Sequence, residues 1–287
     1  MPAPSVSFEF FPPKSLPASF RLWDCVQTLA PLDPSFVSVT YGAGGTTRKL
    51  THEAVEAITK TTDLNVAAHL TCVDATRAQT LEIAQTYKAA GVSHIVALRG
   101  DPPKGAHSFQ PNPDGFDGSI DLTRALADRG FVVTVGAYPE THPDATNAQA
   151  CIDHLKAKID AGATRAITQF FFEADTFLRF RDACADAGIT APILPGILPV
   201  ESWSGVQRFA KACGAHIPAL LQDAFDRAEG TDSADLLATA HATELCDDLC
   251  AEGVDHLHFY TLNKPELTRD ICHALGITPK TALQNVA

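Results

Sequence analysis

The sequence predicts an α/β protein, a single (β/α)8 or TIM barrel over residues 1–287, and one repeated device carries most of that prediction. Five times a helix-like stretch ends on a glycine and a short strand-like run follows. These are Gly91 before Ile95–Leu98, Gly130 before Phe131–Val135, Gly162 before Ala163–Thr168, Gly188 before Ile193-Leu194 and Gly253 before Val254–Phe259. Glycine takes the left-handed backbone that ends a helix, after which the chain turns into a strand. Ser7–Phe10, Phe36–Thr40 and Val66–Leu70 bring the strand candidates to eight. Helical patterns separate them, for example at Thr51–Lys60, Arg77–Ala89, Thr146–Ala161, Thr176–Ala187, Ala234–Ala251 and Pro265–Leu275. Eight alternating units in 287 residues favour a closed barrel over a doubly wound open sheet, and no linker or low-complexity segment divides the chain.

Bulk composition narrows the partners. A hydrophobic content of 45% is ample for a large core, and 22 basic against 34 acidic residues give a net charge of −12 with no basic run. Nucleic acid and anionic membrane surfaces are therefore excluded as main partners, whereas a small anionic ligand needs only one or two local cations. No apolar run approaches the roughly 18 residues of a membrane span. Met1-Pro-Ala-Pro-Ser5 has neither the charged nor the apolar region of a secretory signal. The eight cysteines are scattered without a Cys-x-x-Cys pair, which predicts free, mostly buried thiols in a reducing cytoplasm.

The stretch His94-Ile-Val-Ala-Leu-Arg-Gly-Asp-Pro-Pro103 locates the chemistry. Its apolar run predicts a buried parallel strand, and the two prolines forbid continuation, so Arg99, Gly100 and Asp101 fall on a loop at the strand's carboxyl end. Loops at that edge of a parallel barrel converge on one crevice. The other strand ends contribute Glu9, Thr40-Tyr41-Gly42, His69, Tyr138, Gln169 with Phe170–Phe172, Pro195-Gly196 and Tyr260–Lys264. This rim is polar and aromatic beside strand bodies that look apolar, which suits a flat heteroaromatic ligand. Asp101–Ser119, rich in Pro and Gly, is long enough for a lid or binding loop.

Several signals leave two readings open. Alternation in Phe8-Glu9-Phe10 sends Glu9 to the face opposite the two rings. Desolvation there would raise its pKa and make it a general acid, or Glu9 is a core carboxylate paired to Lys or Arg. Asp101 beside Arg99 is either an ion pair or turn cap, or a ligand contact. Gly42-Ala-Gly-Gly45 is a phosphate-cradling turn or an ordinary tight turn, and matches neither the dinucleotide fingerprint nor a P-loop. His256 and His258 share one strand face, as metal ligands or as packed, hydrogen-bonded side chains.

In chain order, Phe8-Glu-Phe-Phe-Pro-Pro-Lys14, Val39-Thr-Tyr-Gly-Ala-Gly-Gly45, His69-Leu-Thr-Cys72, His94–Pro102, Tyr138-Pro-Glu-Thr-His-Pro143, Asp160–Phe172, Pro195-Gly-Ile-Leu-Pro199 and His258-Phe-Tyr-Thr-Leu-Asn263 resemble the bacterial 5,10-methylenetetrahydrofolate reductases. The likeness spans residues 8 to about 275. It implies a barrel that holds FAD non-covalently and reduces 5,10-methylenetetrahydrofolate to 5-methyltetrahydrofolate with NAD(P)H by ping-pong hydride transfer, feeding methionine synthesis. It also implies a homo-oligomer. NADH and NADPH are not distinguished.

By the same resemblance Glu9 matches the acid that protonates the departing folate nitrogen, and Asp101 the carboxylate that favours the cationic iminium. Gln169 matches a pterin-binding amide, Phe209 an aromatic that stacks on folate or nicotinamide, and Lys264 a basic residue near the folate tail. FAD contacts carry over to Thr40, Tyr41, Ala43, His69, Arg99, Gly100, Asp101, Ser119, Tyr138, His142, Ala145, His154 and Lys158. The chain departs from the family's pattern at Gly118-Ser119, where Tyr-Ala is usual, and at Cys151, His154 and Gly205. Two alternatives follow: a non-catalytic relative that binds folate with little or no FAD, and a metal-dependent barrel hydrolase or methyltransferase using His256 and His258.

Overall fold

The computed structural model describes residues 3–41, 48–102, 109–231 and 233–280. The strands are β1 (Ser5–Phe10), β2 (Phe36–Val39), β3 (Val66–Thr71), β4 (His94–Leu98), β5 (Val132–Ala137), β6 (Arg165–Thr168), β7 (Ile193–Leu194), β8 (Gly196–Ile197) and β9 (His256–Tyr260). All pair in parallel, in the order β7-β6-β5-β4-β3-β2-β1-β9-β8. β7 and β8 are two halves of one stave interrupted at Pro195; β7 pairs with β6 and β8 with β9, so the ring closes as a (β/α)8 barrel. Proline has no N–H for the ladder.

Helices alternate with the strands: α1 (Leu16–Leu29), α2 (Arg48–Thr61), α3 (Arg77–Ala89), α4 (Ser119–Ala127), α5 (Ala148–Asp160), α6 (Ala174–Asp186), α7 (Trp203–Cys213), α8 (Ala219–Ala228), α9 (Ala234–Ala251) and α10 (Pro265–Ala274). α3 and α9 lie at their expected bounds, and α2, α5, α6 and α10 differ by at most three residues at either end. The five helix-end glycines all have positive φ, between 75° and 109°. Thr76 opens α3 with a capping box to Gln79, and Asn147 caps α5 through Ala150 N–H. α1, α4, α7 and α8 lie outside the helical patterns singled out from the sequence. All eight cysteines are free, five of them buried.

Phe8 and Phe10 point outward into the layer between sheet and helices, where each is essentially inaccessible and contributes about 2–3 kcal/mol. Ser7 and Glu9 alternate to the barrel interior. That interior is more polar than the strand sequences suggest. Beside the apolar plug of Phe36, Ala67, Val96, Ile167 and Leu194 stand His94, hydrogen-bonded to Thr134, and Ser7, bonded to both His256 and His258. The expectation of apolar strand bodies holds for the outer faces and fails for the inner ones, because a parallel strand's two faces are judged only once its register is known.

The closing stave depends on one glycine. Gly196 N–H donates to Thr168 Oγ1 at 2.9 Å, and the Tyr260 hydroxyl donates to Thr168 O at 2.6 Å. A Cβ at residue 196 would lie 2.2 Å from Thr168 O and 2.6 Å from the Tyr260 ring. Gly196→Ala is expected to destabilise the fold by about 2–3 kcal/mol, read as a lower urea midpoint with an unchanged slope.

Candidate active site

A cavity of about 680 Å³ opens at the carboxyl ends of β3, β4 and β5, within the roughly 300–1,000 Å³ usual for ligand sites. β3 supplies Thr71, β4 and its loop Leu98–Asp101, β5 and its loop Gly136–Tyr138, and α4 and α5 their amino-terminal ends with Ser119, Cys151 and His154. Of the residues matched to FAD contacts, Tyr41, Arg99, Gly100, Asp101, Ser119, Tyr138, His142, Ala145, His154 and Lys158 line it. Thr40 and His69 do not, and Ala43 falls outside the described residues.

Its electrostatics centre on Lys158, buried at the end of α5, whose ammonium donates to Gly136 O. Burial pulls its pKa down to about 8, and among the described residues no carboxylate pairs with it. Holding this charge unpaired costs about 3 kcal/mol, a cost present below about pH 8 and relieved as pH rises toward the unfolded value. Thr71 Oγ1 is buried on the same cavity without a hydrogen-bond partner among the described residues. Arg99 pairs with Asp144 at 3.0 Å, not with Asp101, and its guanidinium lies 5.3 Å from the Phe109 ring centroid. Asp101 and Asp117 line the cavity from its exposed side. Tyr138 and His142 meet edge to face with centroids 4.4 Å apart. Burial lowers His142, and lowers His154 to about 4 with Lys158 adding to the effect, so both rings are neutral at pH 7. A buried cation, an orphaned hydroxyl and flanking aromatic groups fit a flat, anionic cofactor such as FAD.

Glu9 lies apart from this lining, at the carboxyl end of β1. Its Oε2 is 3.3 Å from His69 Nε2 and 3.8 Å from His258 Nε2, with its side chain 14% exposed. No Lys or Arg pairs with it among the described residues, which corrects the cationic partner of the bland reading. The expected rise in pKa is also corrected. Burial does push the carboxyl up, but the two imidazoles outweigh it and hold Glu9 at about 2. Burial keeps His258 below the usual imidazole range, against the opposing pull of Glu9, so at neutral pH its ring carries no charge.

Of the residues matched to folate contacts, Asp101 lines the cavity and Glu9, Gln169, Phe209 and Lys264 do not. Gln169 follows β6, its N–H donating to Ala137 O, and its amide faces the Tyr138 hydroxyl. Phe209 is 46% exposed on α7, and Lys264 sits at the start of α10, 3.6 Å from Glu201. His256 and His258 both bind Ser7, and among the described residues no group of three His, Cys, Asp or Glu could hold a metal. Thr71, Asp144 and Thr146 line the cavity without having been singled out in the sequence, and Phe109 and Asp117 do so from the loop expected to be a lid or binding loop. Thr71 carried a signal, standing just past the strand expected at Val66–Leu70 and inside the matched run His69–Cys72.

The family model described as methylenetetrahydrofolate reductase matches residues 2–276. The 5,10-methylenetetrahydrofolate reductase of Pectobacterium carotovorum is 45% identical over 280 residues, covering 97% of this chain and 92% of the relative. That of Escherichia coli K12 is 45% identical over 276 residues, covering 96% and 92%. Among solved structures, an uncharacterized protein from Clostridium thermocellum that binds two copies of 5-methyl-5,6,7,8-tetrahydrofolic acid superposes with a TM-score of 0.63 at 16% identity, covering 96% of this chain and 95% of that one, a likeness of fold. With the family model spanning nearly the whole chain and close relatives matching end to end, the chain belongs to the methylenetetrahydrofolate reductase family.

Proposed function

We propose that this reductase binds FAD in the cavity over β3–β5 and converts 5,10-methylenetetrahydrofolate to 5-methyltetrahydrofolate with NAD(P)H, the two substrates taking turns at one site, with a product suited to methionine synthesis. The observation that carries the reading is Lys158: a buried ammonium without an anion, on the wall of a ligand-sized cavity. Family membership and the folate bound by the Clostridium protein of like fold support the substrate class.

When bound, the flavin supplies a two-electron carrier that takes hydride from the nicotinamide and passes it to the folate's methylene carbon. The protein's part is positioning and proton supply. Lys158 and Arg99 compensate the cofactor's negative charge, and Tyr138 with His142 forms an aromatic wall. Gly100, at φ 87° and with a would-be Cβ 2.6 Å from Val73, lets the β4 loop lie close against β3. Glu9 hands a proton to the folate nitrogen that departs as the five-membered ring opens to an iminium. Asp101, exposed at the mouth, offers negative charge to that cation. Because Glu9 rests as a carboxylate, it must be loaded with a proton in each turnover.

Four outcomes test this. Protein incubated with FAD is expected to turn yellow, to bleach anaerobically with NADH and to recover its colour with methylenetetrahydrofolate; a colourless protein that takes up no FAD overturns the reading. Lys158→Met should weaken FAD binding by about tenfold to a hundredfold while stabilising the cofactor-free protein by up to about 3 kcal/mol, measured by fluorescence titration and urea unfolding. Wild-type affinity for FAD should fall as pH rises above about 8, where Lys158 begins to lose its proton. Glu9→Gln should keep nicotinamide oxidation with an artificial acceptor and lose folate reduction by about 10²-fold or more; equal loss of both removes Glu9 from its role.

A further inference from the structure

Below Glu9 the barrel interior holds a line of polar side chains that nothing above assigns a task. His258 Nδ1 lies 2.7 Å from Ser7 Oγ, and the same oxygen lies 2.9 Å from His256 Nε2. Ser7 and His258 are wholly buried, whereas His256, first residue of β9, is partly exposed at the amino-terminal floor of the barrel. Ser35 Oγ, also at the floor, is 3.4 Å from His256 Nε2. At the upper end His258 Nε2 is buried, lacks a hydrogen-bond partner among the described residues and stands 3.8 Å from Glu9 Oε2. Phe36 stacks on His258 at 5.7 Å and 17° and touches His256 at 5.9 Å, which walls the line from water. His94 is bonded sideways to Thr134 and is not part of it. His69 approaches Glu9 from β3 at 3.3 Å, but among the described residues no hydrogen bond leads onward from it.

We infer that His256, Ser7 and His258 form a proton relay that reloads Glu9 from solvent at the floor of the barrel. This rests on Glu9 being the acid of the folate half-reaction proposed above. That half-reaction consumes one proton per turnover, at a mouth that cofactor and substrate together cover. In the resting arrangement His256 Nε2–H donates to Ser7 Oγ, Ser7 O–H donates to His258 Nδ1, and His258 Nε2–H faces the carboxylate. When Glu9 takes the Nε2 proton of His258, His258 Nδ1 takes the Ser7 proton. Ser7 takes the Nε2 proton of His256, and His256 Nδ1 takes one from water. One proton enters at the floor, one leaves at Glu9, and no net charge remains between. Burial keeps both rings neutral at pH 7, His256 at about 4, so each can pass a proton without storing one.

Two measurements decide it. In the cofactor-free protein, imidazole ¹⁵N chemical shifts at pH 7 should show His258 as the Nε2–H tautomer; an Nδ1–H tautomer points the wire away from Glu9 and overturns the relay. In the FAD-loaded protein, Ser7→Ala and His256→Gln should each slow flavin reoxidation by methylenetetrahydrofolate about tenfold or more and leave flavin reduction by NADH near its wild-type rate. His256→Gln, at the partly exposed end, carries the test should Ser7→Ala not fold. Wild-type rates in both half-reactions for the variants overturn the relay alone. A wild-type protein that reduces no folate overturns the proposed reaction itself, a separate and distinguishable failure.

Discussion

The register of β1 between β2 and β9 is the constraint on which the rest of the molecule depends. Ser7 sits opposite Phe36 on one side and His258 on the other, and Glu9 opposite Ser38 and Tyr260. A slip of one residue would drive Phe8 into the barrel and Glu9 among the helices, exchanging every inward side chain for an outward one. Side-chain clamps at the carboxyl end hold the register. Asn263 accepts from Phe11 N–H at 2.8 Å and donates to Phe11 O at 2.9 Å, while the Thr261 hydroxyl donates to Glu9 O at 2.6 Å. The loop after β9 thus fixes the strand that carries the proposed acid.

Around that frame the protein keeps two charges in unlike surroundings. Glu9 is largely buried yet ionised, because the His69 and His258 imidazoles beside its carboxylate outweigh the cost of burial. Lys158 is buried with the Gly136 carbonyl as its hydrogen-bond partner and, among the described residues, no carboxylate beside it, and burial wins, lowering its pKa to about 8. A chain of net charge −12 with no basic run concentrates its one deeply buried lysine among the described residues on the wall of its large cavity. Global charge therefore says little about the ligand, and local desolvation says much.

How far the sequence revealed this follows the range of each interaction. The helix-end glycines and the Phe-Glu-Phe alternation are local, so the alternating units and the placing of Glu9 opposite the two rings were legible from residues alone. The partners of Glu9 were not, since His69 and His258 reach it from β3 and β9 only after the ring has closed. Arg99 illustrates the same limit: adjacency suggested Asp101, whereas the folded loop after β5 presents Asp144. Lys158 looks on sequence like an ordinary solvated helix end; its isolation arises from packing of α5 over β5. The resemblance named it without giving the physical reason. The interior histidines escaped as a set because they are spread over β3, β4 and β9.

The stave broken at Pro195 makes the hoop uneven in stiffness. Two residue pairs join it to β6 and two to β9, against five between β1 and β9 or between β3 and β4. A ring with one short weld yields there first, since local opening follows the regions with fewest backbone hydrogen bonds. Gln169, just past β6, and Tyr260, at the end of β9, flank that weld, so the barrel's softest arc and the edge of its mouth coincide. Opening of the hoop there would widen the entrance on that side and spare the cavity wall over β3–β5, whose ladders are longer.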